Sequence, residues 1–572
     1  MTSSEAEPTP APPQPGPRQR RPGWRWVLPR PYEPVGLVGA ALLVWASLTP
    51  SLLPRAAVFQ GAVSGVSAAL GYGLGVLGLA VVRFMLERPL RWRPGRRTGV
   101  VLAAVFVVVT AFSLWRYAGW QADLRELMGL EQLSVGHYAG LVAVAAVVSV
   151  LLVGIGRLVG TGTRGLVRLL SKVAPPRVSA VVGIVVVLVL VGALFNDVVA
   201  GRLLSSMDAG FKAVNDETHA DSPAPTQPEL SGSPESLVTW GSLGRTGREF
   251  IDRTTTVADL EAFSGRPATQ PVRAYVGLDT EATIADDAQL AVQELERAGG
   301  FDRSVICVVT TTGTGWVNED SVSAVEYLYN GDTAVVSMQY SYLPSWLSFM
   351  VDQARAREAG RQLFNAVYAR WNALPVGQRP KLVVNGESLG SFGAETAFSG
   401  VEDLRNRTDG ALFVGPPFMN DLWSDLTAHR DPGSPEWLPT YQQGRTVRFM
   451  ARPSDLDRPT AAWDGPRVVY LQYASDPITW WNPSLVLNRP DWLEEERGYD
   501  VLPQTRWFPL VTFLQLSADM AVGHLAPPGH GHRFGSDPAN AWAAILQPAG
   551  WTAQDTERLR AVLTANAEER ES

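Results

Sequence analysis

Three residue types that together perform nucleophilic catalysis occur in the second half of this 572-residue chain, in the order serine, aspartate, histidine. Ser388 lies in the pentapeptide GESLG (386–390), which has the pattern G-x-S-x-G. A serine hydroxyl is a weak nucleophile at neutral pH, and it needs a base that is oriented by an acid. The pentapeptide therefore predicts a nucleophile only if an acid and a base follow it in suitable positions.

The predicted acid is Asp476, which follows the apolar run RVVYLQY (467–473). This run predicts a strand, so Asp476 lies on the loop at its carboxyl end, where catalytic groups collect in open α/β sheets. An aspartate before a proline is also common in simple turns, and a structural role is the alternative. Asp455 and Asp457 are further alternatives, but no predicted strand directly precedes them.

The predicted base is one of three histidines in GHLAPPGHGHRFG (523–535), which precedes a predicted final helix at 538–546. His530 is the preferred base, followed by His532 and then His524. Three histidines could instead bind zinc, but the preceding order of strand, serine and acid would then be coincidental. No metal and no other cofactor is predicted.

The oxyanion of a tetrahedral intermediate needs two hydrogen-bond donors. One is predicted to be the backbone N–H of Leu389, directly after the serine. The second is expected from the glycine turn TTGTGW (311–316), at Gly313 and Thr314, which follows an apolar run. This turn does not resemble a phosphate-binding loop, because no Gly-Lys-Ser/Thr follows it.

Strands alternate with helices through the second half, and this pattern predicts a mostly parallel sheet covered on both faces. KLVVN (381–385) is a predicted strand and 391–399 a predicted helix, so Ser388 lies at a strand-to-helix turn, as in α/β-hydrolases. Two lid-like insertions are predicted near 417–465 and 478–520. Aromatic residues of the second insertion could pack in the core or line an acyl-binding pocket; they are Trp480, Trp481, Trp492, Trp507, Phe508 and Phe513.

The first part of the chain predicts a transmembrane helical bundle over 34–210, after a disordered cytoplasmic tail at 1–33. About five spans are expected, because each apolar stretch approaches or exceeds the roughly 20 residues that cross a bilayer. The stretches lie near 35–53, 59–86, 99–118, 138–159 and 178–200. A flexible linker is predicted at 211–237, followed by the hydrolase domain at 238–572.

Charge supports a membrane location for the first part, since residues 1–210 carry 20 Lys/Arg against 9 Asp/Glu within a very apolar sequence. No recognition motif accompanies these charges, so no nucleic-acid partner is predicted. Arginines concentrate in the N-terminal segment and in the second and fourth connections between the predicted spans. The positive-inside rule then predicts a multi-pass protein of the cell membrane, with a cytoplasmic N-terminus and an extracytoplasmic hydrolase domain. The single cysteine, Cys307, excludes an intramolecular disulfide.

Several motifs together resemble a family, the actinobacterial integral-membrane α/β-hydrolases. They are TTGTGW (311–316), QYSYLPSWLS (339–348), GESLGSFG (386–393), YASDPITWWNP (473–483), RWFPLVTFLQLSADM (506–520) and GHGHRF (529–534). The resemblance covers about residues 34–548. It implies a serine hydrolase or acyltransferase in which Ser388, Asp476 and either His530 or His532 form the triad, but it implies no particular substrate.

The sequence therefore predicts a membrane-anchored serine esterase, lipase or acyltransferase that acts through an acyl-enzyme. The expected substrate is a lipid or an acylated envelope glycan, because the membrane anchor holds the site close to such molecules. One alternative is a non-catalytic membrane scaffold that binds a partner through a vestigial hydrolase domain. Another is a transporter, but the predicted spans contain few charges that could line a path.

Overall fold

The computed structural model describes residues 32–86, 94–193, 215, 223–278 and 280–571. Within these ranges a helical N-terminal half precedes an α/β domain. Most of the predicted tail at 1–33, part of the second connection and most of the first half of the predicted linker lie outside the described residues.

The N-terminal half consists of apolar helices of unequal length. They are α1 (Pro34–Ser47), α2 (Ala57–Leu86), α3 (Arg96–Leu127), α4 (Val135–Leu170) and α5 (Pro176–Ala193). Among the described residues, three of these helices are long and apolar enough to cross a membrane, namely α2, α3 and α4. The prediction of about five spans is therefore not supported: the 14 residues of α1 rise about 21 Å, less than the roughly 30 Å of a bilayer core.

Small residues allow the helices of this half to approach closely, as is common in membrane bundles. A Cβ atom built on Gly39 of α1 would lie 2.3 Å from the carbonyl oxygen of Gly71 in α2. Likewise, a Cβ atom built on Gly65 of α2 would lie 2.6 Å from Cβ of Val148 in α4. The glycines therefore bring α2 into close backbone contact with both neighbours.

The C-terminal half is built on a sheet of seven strands, all paired in parallel within the described residues. The strand order is β1-β3-β2-β4-β5-β7-β6. The strands are β1 (Val272–Val276), β2 (Val305–Thr310), β3 (Thr333–Met338), β4 (Lys381–Glu387), β5 (Gly410–Val414), β6 (Val447–Met450) and β7 (Arg467–Leu471). Nearly every strand residue is buried, as expected for a sheet covered on both faces.

Helices connect these strands and cover the sheet. They are α6 (Gly244–Asp252), α7 (Val257–Ser264), α8 (Ile284–Arg297), α9 (Glu319–Leu328), α10 (Ser345–Val351), α11 (Gln353–Asn372), α12 (Leu389–Glu395), α13 (Val401–Arg407), α14 (Asp421–Ala428), α15 (Pro477–Trp480), α16 (Val511–Met520), α17 (Pro538–Leu546) and α18 (Ala553–Glu571). The prediction of a mostly parallel sheet between helices is confirmed. The carboxyl ends of β2, β4, β5 and β7 meet at one edge of the sheet, which carries the predicted site.

Two predicted boundaries need correction. The segment 417–465 is not a simple insertion, because it contains β6, whose residues Val447–Met450 pair with β7. The last residues of the predicted linker are part of the folded domain, since Leu230 forms a parallel bridge with Arg273 of β1. The buried Glu294 accepts hydrogen bonds there from Ser236 Oγ at 2.7 Å and from Leu237 N–H at 2.9 Å.

The two halves share a hydrophobic core. Leu52 and Leu53, from the connection between α1 and α2, are buried in the same cluster as the sheet. Leu124 and Met128, at the end of α3, belong to that cluster as well. The α/β domain therefore packs directly on one end of the helical half.

Candidate active site

Ser388 occupies a strained turn between β4 and α12. Its φ of 54° and ψ of −124° are unfavourable for a residue with a side chain, and such strain persists only where surrounding contacts impose it. The backbone N–H of Ser388 donates to Val414 O of β5 at 2.8 Å. A Cβ atom on Gly386 would lie 2.5 Å from Gly390 O, and one on Gly390 would lie 2.3 Å from Thr310 O. Both flanking glycines of the pentapeptide are therefore required by close backbone packing.

Asp476 directly follows the loop after β7 and caps the short helix α15. Its side chain is fully buried, and its Oδ1 accepts a hydrogen bond from Ile478 N–H at 2.8 Å. Its Oδ2 lies 2.7 Å from His532 Nδ1 and also accepts from Thr479 Oγ1 at 3.2 Å. Because a carboxylate only accepts hydrogen bonds, Nδ1 of His532 carries the proton, and Nε2 of the neutral ring is left as an acceptor.

The other ring nitrogen of His532 lies next to the serine turn. Among the described residues, His532 Nε2 is buried and has no hydrogen-bond partner. A Cβ atom on Gly415, the residue after Val414, would lie 2.6 Å from His532 Cε1. Val414 also accepts the N–H of Ser388, so the serine turn and the imidazole lie against consecutive residues, Val414 and Gly415, at the carboxyl end of β5. The arrangement leaves a buried, unpaired acceptor beside a strained serine.

The structure pairs each of the two nearby histidines with a different acid. His530 Nδ1 lies 3.3 Å from Asp500 Oδ2, and Ser475 Oγ donates to the same carboxylate oxygen. The preferred base of the sequence analysis, His530, is therefore not hydrogen-bonded to Asp476. His524 is exposed, and no group of three His, Cys, Asp or Glu side chains within the described ranges could hold a metal ion.

The predicted oxyanion donors lie on two adjoining segments. Leu389 is the first residue of α12, where backbone N–H groups lack intrahelical acceptors. The close contact between Gly390 and Thr310 O brings this end of α12 against the start of the TTGTGW turn. In that turn Gly315 N–H donates to Thr312 O at 3.0 Å, while Gly313 and Thr314 N–H have no acceptor within the part of the chain that is described. These two donors remain available for a ligand.

Electrostatic interactions around His532 favour its protonated form. Burial disfavours the imidazolium, but the charge and hydrogen bond of Asp476 outweigh burial and raise the pKa of His532 above its usual value. Glu387, directly before the serine, acts in the same direction. Burial raises the pKa of Glu387 to about 7, although His532 and a hydrogen bond from the Asn318 amide oppose this rise.

Two acidic residues near the site, Glu387 and Asp500, were not predicted from the sequence. Glu387 could have been noticed as the variable residue of the pentapeptide, but nothing in the sequence indicates its contact with Asn318. Asp500 lies 30 residues before His530 in a segment without regular structure, and no sequence signal identifies it. The alternative acid Asp455 is structural, since its Oδ2 accepts from Arg452 N–H at 2.8 Å and its Oδ1 from the Tyr499 hydroxyl at 2.6 Å.

Four of the six predicted aromatic residues fall into two groups. Trp480 and Trp492 are buried in the core, 3% and 4% exposed. Trp481 and Phe513 are only partly buried and form a cluster with Phe349 and Phe418, in which the paired ring centroids lie 5.5–6.2 Å apart. This aromatic cluster (Phe349, Phe418, Trp481, Phe513) connects the segments after Gly415 and Asp476 with α16, which packs on α1 and α2.

Comparison with known proteins agrees with this architecture. A model of the "Alpha/beta-hydrolase family" matches residues 272–559, and a model of the "Alpha/beta-hydrolase family N-terminus" matches residues 48–254. No curated protein and no solved structure matches the chain. The first match covers the whole sheet and all predicted site residues, and the second covers α2 to α6. Both halves of the chain thus support a hydrolase-type function, and the chain belongs to an alpha/beta-hydrolase family.

Proposed function

We propose that this protein is a membrane-anchored serine esterase, lipase or acyltransferase. Ser388 attacks the carbonyl carbon of an acyl ester, His532 Nε2 accepts the serine proton, and Asp476 holds the imidazole in the required tautomer. The N–H groups of Leu389, Gly313 and Thr314 stabilise the oxyanion. His532 then returns the proton to the leaving alcohol, and the acyl-enzyme is attacked by water or by an acceptor hydroxyl.

One observation carries this proposal, namely the unpaired Nε2 of a histidine whose Nδ1 is bonded to a buried aspartate, next to a strained serine turn. Buried polar atoms are nearly always paired, and an unpaired one calls for an explanation such as a catalytic role. A serine hydroxyl or the oxygen of a leaving group would satisfy this acceptor. A purely structural histidine would have no reason to leave Nε2 buried and unpaired.

The proposed substrate is an acyl ester with an apolar chain, such as a lipid or an acylated envelope glycan. The aromatic cluster supports this substrate class, because Phe418 lies three residues after Gly415 and Trp481 lies five residues after Asp476. On its other side the cluster includes Phe513 of α16, whose residue Gln515 donates a hydrogen bond to Thr49 O of the membrane half at 2.9 Å. An acyl chain bound along these rings would run from the serine toward the membrane.

The proposed location of the site is the extracytoplasmic face. The α/β domain packs on the start of α2 and the end of α3, whereas Arg96 and Arg97 lie at the opposite end of α3. Arg164 and Arg168 lie at the far end of α4. Because arginine-rich connections stay in the cytoplasm, the α/β domain is expected on the other side. This orientation requires the chain to cross the membrane once more after α4, in the apolar segment that begins with α5. An impermeant maleimide should label Ala553→Cys in intact cells and Thr98→Cys only after permeabilisation, and the reverse result contradicts this orientation.

The test of the activity uses a fluorophosphonate probe on the full-length protein in detergent. Wild-type protein and Ser399→Ala, which changes an exposed serine between α12 and α13, should both be labelled. Ser388→Ala should show no labelling and no hydrolysis of short acyl esters. If folded wild-type protein is neither labelled nor active on esters, the non-catalytic scaffold is the better account of the α/β domain.

A further inference from the structure

The middle of the connection between α1 and α2 (residues 48–56, the membrane-half connection) is buried against the α/β domain. Leu52 is fully buried and Leu53 is 2% exposed, and both belong to the core cluster of the sheet. Connections between helices normally run over the surface, because their backbone polar groups need water. Here the N–H of Leu52 donates to Asp519 and the carbonyl oxygen of Thr49 accepts from Gln515, both on α16, so the connection is an integral part of the α/β domain.

A buried ion pair attaches the membrane-half connection to α16. Arg55 Nε lies 2.5 Å from Asp519 Oδ1, and the two side chains are 2% and 0% exposed. Asp519 Oδ2 also accepts hydrogen bonds from Leu52 N–H at 3.2 Å and from Ser51 Oγ. The carboxylate is therefore paired entirely with residues of the other half of the protein. Its partner Arg55 makes a further bond, from Nη1 to Gln60 Oε1 of α2 at 2.6 Å.

The same attachment continues into the loop that carries the histidines (residues 523–533, the histidine loop). The carbonyl of Asp519 accepts Val522 N–H at 3.0 Å, and the carbonyl of Gly523 accepts His532 N–H at 3.0 Å. Gly531 lies between His530 and His532, and a Cβ atom built on it would lie 3.3 Å from Leu53 Cδ2. The membrane-half connection thus contacts the histidine loop directly and also fixes the helix end from which this loop starts.

We propose that the membrane-half connection is a positioning element of the active site, and that Leu53 is its positioning residue. Leu53 fills the space beside Gly531 and so holds the backbone that sets the direction of the His532 ring. Without this contact the ring remains bonded to Asp476, but Nε2 is displaced from the serine. The α/β domain is then catalytically complete only when it is joined to the membrane half. This inference deepens the proposed function and rests on it for its kinetic consequence.

The chain offers a matched control for Leu53. Leu48 lies in the same connection and is also 2% exposed, but it packs with Tyr117 and Leu141 inside the membrane half. Leu48→Ala and Leu53→Ala remove the same atoms from equally buried sites. Only Leu53→Ala removes a contact with the histidine loop, so a difference between the two variants reports positioning and not a general loss of packing.

The experiment uses full-length protein in lipid nanodiscs and two readouts. Hydrogen exchange should increase within 523–533 in Leu53→Ala, with β4 unchanged, whereas Leu48→Ala should leave both segments as in wild type. The rate of fluorophosphonate labelling at Ser388 should fall roughly 10- to 100-fold in Leu53→Ala, because a small misplacement of a catalytic group has an effect of this size. Leu53→Met should restore most of this rate, and Leu48→Ala should label within about twofold of wild type.

Equal exchange of the histidine loop in Leu53→Ala and Leu48→Ala overturns the inference, whatever the labelling shows. Increased exchange without slower labelling of Ser388 also overturns the inference. Leu53 would then hold the histidine loop, but the reaction at Ser388 would not depend on the position of that loop. If wild-type protein is not labelled at all, the proposed function fails, and the exchange comparison alone decides whether the connection holds the loop. Should Leu53→Ala not fold, Leu53→Val and Leu48→Val give the same comparison with a smaller change.

Discussion

The Nδ1 atom of His532 lies 2.7 Å from Oδ2 of Asp476, and the neighbouring histidine, His530, is bonded to Asp500 instead. Two histidines separated by one residue therefore have separate acids. His532 lies against Gly415, the residue after Val414, which accepts the Ser388 N–H. Because their partners differ, substitutions of His530 and His532 are expected to affect catalysis differently.

His532→Ala should lower ester hydrolysis by about 10³-fold or more, as expected for loss of the general base of a triad. His530→Ala should lower it by less than about tenfold, since that side chain acts only through loop packing and its bond to Asp500. Rates of short-chain ester hydrolysis and of fluorophosphonate labelling measure both effects. If His530→Ala were the more damaging change while both variants kept wild-type thermal stability, His530 would be the base.

Asp476→Asn should reduce the rate by about 10⁴-fold while leaving the fold intact, because an amide favours the wrong tautomer of the imidazole. The change also removes the carboxylate that raises the pKa of His532. The base must be neutral to act, so a lower pKa makes it available at lower pH. The residual activity should therefore reach its plateau at a lower pH than wild-type activity does. A pH–rate profile measures this shift, and an unchanged midpoint would show that Asp476 does not set the protonation of the base.

Glu387→Gln should change how stability depends on pH. The pKa of Glu387 is raised from 4.5 to about 7 in the folded protein, so the folded state binds this proton more tightly than the unfolded state does. The resulting stabilisation is fully present below about pH 4.5 and is lost as pH rises through about 7. The difference in Tm between Glu387→Gln and wild type should therefore grow in favour of the variant between pH 5 and pH 8.

The control for this measurement is Glu402→Gln, which changes an exposed glutamate on α13 that pairs with Arg405. Its Tm difference from wild type should be the same at both ends of this pH range. A parallel pH dependence in Glu387→Gln and Glu402→Gln would contradict the assignment of a raised pKa to Glu387.

The sequence predicted the sheet and the serine turn well because both depend on local patterns. The run KLVVN followed by the glycine-flanked serine determines a strand, a turn and a helix without reference to distant residues. The choice between His530 and His532 could not be made in this way, since the acid of His532 lies 56 residues away. Strand β6 was missed because it has only four residues, among which Arg448 interrupts the apolar pattern.

Only three of the five predicted spans are supported among the described residues, and α1 illustrates a physical reason for the difference. The apolar stretch 35–53 reaches the length of a membrane span only when Leu48, Leu52 and Leu53 are included in it. In the structure the helix ends at Ser47, and Leu52 and Leu53 are buried in the α/β domain. Hydropathy shows that a side chain avoids water, but it does not distinguish burial in lipid from burial in protein.

The aromatic cluster should determine which acyl chains are accepted. Trp481 is central to it, with ring centroids 5.5 Å from Phe513, 5.8 Å from Phe418 and 6.0 Å from Phe349. Trp481→Ala should lower the preference for long over short acyl esters by roughly tenfold, because an apolar pocket discriminates by the methylene groups it buries. The ratio of kcat/KM for long-chain and short-chain p-nitrophenyl esters measures this preference.

The matched control is Trp551→Ala, which removes a partly buried tryptophan that stacks on Phe263 at a ring-centroid distance of 5.8 Å, outside the cluster. It should leave the chain-length ratio unchanged, even if it lowers stability as much as Trp481→Ala does. If Trp481→Ala reduced hydrolysis of all esters equally, the cluster would support the fold of the site without binding the acyl chain. An altered ratio in Trp481→Ala alone would identify the rings between α16 and the segment after β7 as the path of the acyl chain toward the membrane half.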